Sequence, residues 1–208
     1  MGLTSLFLDM IDKNVLIIGT GSVGIRRTRR FLDAGANVSI ITKNLDDKIR
    51  KEFQDKGAKF YEEKYLDELI DTCDLVVVAT DDLKLNQDIS IKAQDKLVNC
   101  ASDISLSNVI VPSTFNIGPV TVSLYTGSKS PLMAKELRKK IQKIITEEDI
   151  MNIELQEYLR ILLKEHIPSQ KERKQYMISI NSNSEIQELL KNGELEKAKT
   201  YVKNIILN

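Results

Sequence analysis

Two hydrophobic periods alternate along the first hundred residues. Apolar runs at 14–18, 37–42, 58–61, 74–80 and 97–100 read as strands, and stretches with apolar residues every three or four positions predict helices near 23–34, 45–56, 66–71 and 84–94. Strands alternating with helices imply right-handed crossovers, so the expected class is α/β with a Rossmann-type, doubly wound, mostly parallel sheet. Beyond Ala101 the pattern changes. Residues 108–111 and 119–125 read as further strands around the turn Asn116-Ile117-Gly118-Pro119, and Ser130-Pro131 predicts a helix start with Ser as N-cap and Pro at the first position. From about 131 the chain reads as helical, interrupted near 167–169 and 191–193. Three regions are therefore expected: 1–107, a small α+β segment over 108–150, and a helical region over 151–208. In the last, Leu155, Leu159 and Leu162 form an amphipathic stripe, which serves either a partner surface or a self-contained bundle.

The first predicted strand runs into Gly19-Thr20-Gly21-Ser22-Val23-Gly24 and then into a helical pattern, the order a dinucleotide site requires. In such a site Gly19 allows the tight turn, Gly21 lets backbone approach a pyrophosphate, and Gly24 lets the helix pack on the strand. The helix N-terminus then offers free N–H groups and a partial positive charge to the phosphates. A tight turn without a ligand is the alternative reading of the same glycines. The second strand ends at Thr42 and Lys43 with no acid before Asp46. An acid about 20 residues beyond the glycines commonly binds the ribose hydroxyls of NAD, whereas Lys43 tolerates a 2′-phosphate, so the residues leave NAD and NADP both open. Thr80 and Asp81 end the fourth strand at the carboxyl edge of the sheet, where open α/β sheets bind ligands.

Charge and composition remove several classes. The 208 residues carry 30 basic and 30 acidic side chains, so no global field favours nucleic acid or an anionic membrane. No apolar run reaches the roughly 18 residues of a membrane span. The N-terminus lacks a secretory pattern, and Leu6 stands where myristoylation needs Ser or Thr. Cys73 and Cys100 form no disulfide framework or zinc signature, so a cytoplasmic protein is expected. His166 is the single histidine and lies in the helical tail, which leaves no histidine-based metal site; Cys100 reads as a small buried side chain.

Further stretches complete the picture: Phe7-Leu8-Asp9-Met10 before the first strand, Arg26-Arg27, Ala34-Gly35-Ala36, Ala79-Thr80-Asp81-Asp82 with Asn86, Asn99 to Asp103, Val111-Pro112-Ser113 and Ser130-Pro131-Leu132. In this order, together with the glycines, they resemble the precorrin-2 dehydrogenase and sirohydrochlorin ferrochelatase module of siroheme synthase over roughly the first 140 residues. The resemblance implies oxidation of precorrin-2 to sirohydrochlorin with NAD as cofactor, and ferrous iron insertion as a second step. It implies Asp103 as the proton acceptor, although many relatives place the aspartate one position earlier, where this chain has Ser102. A carboxylate-rich tetrapyrrole calls for cations, and Arg26, Lys129, Ser130 and Arg138 are the candidate substrate contacts, with Arg27, Ser128 and Lys135 nearby; Arg29 and Arg30 read as a solvated face. Relatives dimerise through the segment after the Rossmann unit, so a homodimer is expected, with precorrin-2 supplied by a separate protein. Two other readings stay open: an NAD(H)-binding regulatory domain, and a tetrapyrrole carrier without catalysis.

Overall fold

The computed structural model describes residues 2–127 and 129–207. Its contacts divide the chain into two compact units, the first ending at Val111 and the second starting at Pro112. In the first, β1 (Asn14–Ile18), β2 (Asn37–Ile41), β3 (Lys59–Tyr61), β4 (Leu75–Val78) and β5 (Leu97–Cys100) form one parallel sheet in the order β3-β2-β1-β4-β5. Val15, Leu16, Ile17 and Ile18 pair with Val38 to Ile41 on one side and with Leu75 to Val78 on the other. Strands covered on both faces need apolar residues at successive positions, which is why β1 and β4 are nearly continuous apolar runs.

Helices α1 (Ser22–Asp33) and α2 (Asp47–Asp55) cover one face, where Phe31 and Phe53 join Val15, Ile17, Val38 and Val77 in a buried cluster. Helices α3 (Leu66–Thr72) and α4 (Leu83–Lys92) cover the other, where Ile70 and Ile89 meet Leu16, Ile18, Val76 and Val98. The doubly wound parallel sheet expected from the sequence is therefore present.

The predicted strand over 108–111 is a correction. That segment is irregular, and the strand lies after it as β6 (Ser113–Ile117), paired antiparallel with β7 (Val120–Leu124). Val109 and Val111 instead pack their side chains against the first core cluster. The same segment closes the outer edge of β5. Asn108 accepts from the Val98 amide through Oδ1 (2.7 Å), while the Asn108 and Val109 amides both donate to the Val98 carbonyl (3.1 and 3.2 Å). Ser107 Oγ accepts from the Cys100 amide at 2.9 Å.

The second unit continues with α5 (Pro131–Ile144), α6 (Glu147–His166), α7 (Gln170–Asn181), α8 (Ser184–Lys191) and α9 (Leu195–Leu207). Ser130 caps α5 through a 3.1 Å bond from the Met133 amide, with Pro131 opening the helix as the sequence predicts. Leu155, Leu159 and Leu163 of α6 pack with Ile180, Ile186, Leu190, Ala198 and Val202 into a helical core, so the leucine stripe is internal. Two further breaks, at Ile145-Thr146 and Ser182-Asn183, were not read from the sequence. At the first, Thr146 and Asp149 form a capping box: Thr146 Oγ1 accepts from the Asp149 amide (3.2 Å), and Asp149 accepts from the Thr146 amide (2.8 Å). The Thr146 amide and then the Thr146 hydroxyl, which donates to the same carboxylate at 2.9 Å, hold the Asp149 carboxyl below its ordinary 3.8. A depressed carboxylate stabilises the folded state above the unfolded value, and the contribution is lost as pH falls through the folded one. Thr146→Ala should therefore lower stability by about 1 kcal/mol at neutral pH, a difference that shrinks as the pH drops below 3.8; thermal unfolding at two pH values checks it.

Candidate nucleotide-binding cleft

The carboxyl ends of β1 and β4 are the point where successive crossovers turn to opposite sides of the sheet, and there the chain leaves a cleft of about 610 Å³. Its lining includes Gly19, Thr20, Gly21, Thr42, Lys43, Thr80 and Asp81, the positions singled out by the sequence pattern. Each glycine has its own geometry. Gly19 has φ +89, and a Cβ there would lie 2.4 Å from the Ala79 carbonyl oxygen, so side chains are excluded by both backbone and neighbour. A Cβ on Gly24 would lie 2.1 Å from the Gly19 carbonyl oxygen, which explains how the helix seats against the turn. At Gly21 a Cβ would meet nothing within 4 Å.

Gly21 is also the N-cap of α1, with no side-chain cap and no acid in the first turn. The orphan N–H groups of that turn therefore face a space into which an anion fits. A pyrophosphate suits this donor set: backbone amides and a helix terminus supply the hydrogen bonds, and the absence of a Cβ at Gly21 supplies the close approach. Ser22 and Val23 belong to that first turn.

The cleft walls are fixed by polar pairs. Thr20 is 9% exposed; its hydroxyl donates to the Asn44 carbonyl (3.1 Å) and shares a 2.6 Å hydrogen bond with Thr42. This ties the glycine loop to the end of β2. Opposite, fully buried Asn86 accepts from the Thr80 hydroxyl (2.5 Å) and amide (3.3 Å) and donates to the Thr80 carbonyl (2.9 Å) and Ser102 Oγ (3.0 Å). One amide thus clamps the loop after β4 to the loop after β5. Asp46 uses its carboxylate on the Lys48 and Ile49 amides as the cap of α2. Tyr61, Glu62 and Glu63, at and after the end of β3, also line the cleft; they carry no motif and no sequence signal marks them.

Asp103 is exposed and is not part of this lining. It caps a short 3-10 turn over Ile104–Leu106, accepting from the Ser105 hydroxyl (2.7 Å) and amide (2.8 Å), which hold its carboxyl below its ordinary value. Arg26 is exposed on α1. Its neighbour Arg27 is half-buried, donates from Nη1 to the Val111 carbonyl (2.8 Å), and is pulled down to about 10 by burial and then by the adjacent charges of Arg30 and Arg26. Arg29 is exposed and pairs with Glu52 through two 2.8 Å bonds, a partner the sequence did not indicate. In the second unit Lys129 is exposed, Ser130 caps α5, and the Arg138 guanidinium lies 5.0 Å from the centre of the Phe115 ring. Ser128 lies outside the described residues. His166 is exposed at the end of α6, and burial pushes the Cys73 thiol up to about 11, leaving no thiolate at neutral pH. Among the described residues no group of three His, Cys, Asp or Glu side chains is placed to hold a metal ion.

A parallel sheet with a glycine turn, an uncapped helix N-terminus and a cleft at the switch point defines a Rossmann-type nucleotide-binding protein. The comparisons with known proteins agree: the family model described as "Putative NAD(P)-binding" matches residues 6–113. A Methanocaldococcus jannaschii protein named "Putative precorrin-2 dehydrogenase" is 33% identical over 89% of this chain and 93% of its own length. The Buchnera aphidicola siroheme synthase is 31% identical over 98% of this chain, which spans 43% of that protein's length. The chain belongs to the family of the precorrin-2 dehydrogenases and siroheme synthases. Among solved structures, SirC, a precorrin-2 dehydrogenase, superposes with a TM-score of 0.76 at 21% identity, covering 97% of this chain and all of that one, so the two share a fold.

Proposed function

We propose that this chain oxidises precorrin-2 to sirohydrochlorin using NAD, in the synthesis of siroheme. The observation that carries the reading is the cleft at Gly19–Gly21, in a chain that matches the Methanocaldococcus jannaschii protein named "Putative precorrin-2 dehydrogenase" along most of its length. The nicotinamide, when bound, supplies the hydride acceptor. The protein's part is to bind, orient and manage the proton. The α1 N-terminus and Gly21 receive the pyrophosphate, Thr42 and Lys43 stand at the ribose end, and the Asn86 clamp fixes Thr80 and Asp81 along the opposite wall. Asp103 takes the proton released as the macrocycle gives up a hydride, a role worth roughly 10²- to 10⁴-fold for a positioned acceptor. Arg26, Lys129, Ser130 and Arg138 contact the tetrapyrrole carboxylates.

The functional division proposed is 1–107 for nucleotide binding, 108–150 for dimerisation and substrate, and 151–208 as the helical region, although residues 108–111 pack and hydrogen-bond with the first unit. A homodimer is supported by α5, which carries no buried residue and leaves Leu132 and Ile144 at 68% and 71% exposure. Light scattering should give twice the chain mass; a monomer at micromolar concentration would count against the dimer. Cys73 and Cys100 are both free and buried, which fits the reducing cytoplasm. The test of function is an anaerobic assay with precorrin-2 and NAD or NADP, following NADH or NADPH and the sirohydrochlorin spectrum, then adding ferrous iron. Sirohydrochlorin appearing with NAD in preference supports the reading; NADH binding without turnover favours the regulatory or carrier alternatives.

A further inference from the structure

The second unit contains a groove of about 730 Å³ between the C-terminal half of α6 and the N-terminal half of α7. Half-buried Met177 supplies apolar surface, and Leu163, which also borders the groove, is fully buried in the helical core. Around them stand Arg160 and Lys164, one turn apart on α6, and Lys171, Arg173 and Lys174 on the first two turns of α7. No acidic side chain lines the groove, although Glu157, Glu165 and Glu172 lie on the same helices. Arg173 is committed to the turn between the helices, donating to the Ile167 and Pro168 carbonyls at 2.7 and 2.9 Å. The other four cations are exposed, and among the described residues none of them takes part in an ion pair.

We propose that this groove binds a carboxylate-bearing tetrapyrrole, as a site built wholly within the helical unit and distinct from the nucleotide cleft. In a chain whose formal charge is zero, four like charges gathered on one groove make a local positive field that attracts an anionic ligand. Their arrangement asks for a ligand with an apolar body and anions at its periphery, of a size for which small-molecule sites commonly run to several hundred Å³. A macrocycle ringed by acetate and propionate groups has that form. The choice of tetrapyrrole rests on the reaction proposed above, whereas the polyanion preference rests on the groove alone.

The test uses the full chain and uroporphyrin, an octacarboxylate macrocycle, titrated by absorbance and fluorescence. Lys171→Glu/Lys174→Glu is compared with wild type after circular dichroism shows the same helix content, with Lys171→Gln/Lys174→Gln as the milder variant. The expected result is loss of one class of binding site, weakened at least tenfold by charge reversal and less by neutralisation. Precorrin-2 turnover at saturating substrate should be unchanged. Identical titrations for wild type and the charge-reversed chain overturn the proposal. If porphyrin binding falls in the variant while wild type never oxidises precorrin-2, the groove stands and the dehydrogenase reading fails. If turnover is normal and porphyrin binding is unmoved, only the groove fails.

Discussion

Replacing Gly21 with valine should abolish NADH binding, at least a hundredfold loss and about 2.8 kcal/mol, in a protein that remains folded. The separation of binding from folding follows from the geometry. Gly21 sits at φ −65, ψ −174, where any residue is at ease, and its Cβ would point into open space. The cost to the fold is only the poorer N-cap, about 1 kcal/mol. The cost to the ligand is direct, because the β-branched side chain fills the volume through which a pyrophosphate reaches the first amides of α1. Gly24→Ala makes the opposite case. Its Cβ would lie 2.1 Å from a backbone oxygen of the glycine turn, so helix and strand must separate. Overpacking of this kind costs about 3 kcal/mol or more, and melting temperature should fall with or without ligand. NADH titration and thermal unfolding of the two variants distinguish the roles; normal NADH affinity in Gly21→Val would remove the cleft as the nucleotide site.

Asp103→Ala should lower the rate of precorrin-2 oxidation by roughly 10²-fold or more, with NADH affinity intact because Asp103 lies outside the cleft lining. Its pH signature is distinctive. The Ser105 hydroxyl and amide stabilise the carboxylate, so its proton-accepting form persists below the ordinary 3.8. The rate should therefore be flat through neutral pH and decline only in acid. Ser105→Ala removes the larger of the two donors and should move that acid limb upward. An unchanged rate in Asp103→Ala, alongside normal turnover by wild type, would reduce the residue to a cap of its 3-10 turn.

The two units were legible to different degrees, for physical reasons. In the nucleotide unit, strands buried on both faces advertise themselves as runs such as Val15-Leu16-Ile17-Ile18, and β1 and β5 fall where those runs lie. The same rule misled at 108–111, because Val109-Ile110-Val111 is more apolar than the true strand Ser113-Thr114-Phe115-Asn116-Ile117. Its valines face the core without a ladder, whereas the hairpin buries chiefly Phe115. The helix breaks at 145–146 and 182–183 contain neither Gly nor Pro; their signals were the caps, Thr146 with Asp149 and Asn183 with the Ile186 amide. At the site, the glycines and the ends of β2 and β4 were readable because motif and strand order agree. The contribution of Tyr61, Glu62 and Glu63 depends on β3 lying beside β2, a fact of topology with no local sequence mark.

The closed edge of β5 bears on how this protein associates. An edge strand ordinarily offers its unpaired amides and carbonyls to any passing strand, and that is a route to misassembly. Here Asn108 and Ser107 mimic the missing neighbour: the amide of Val98 is taken by a side-chain carbonyl, its carbonyl by two amides, and the amide of Cys100 by a hydroxyl. Strand exchange at this margin would first have to peel away the passage that leads into the second unit. Joining two copies into a ten-stranded sheet through β5 is thereby disfavoured, and the chain is shielded on this side from edge-to-edge polymerisation.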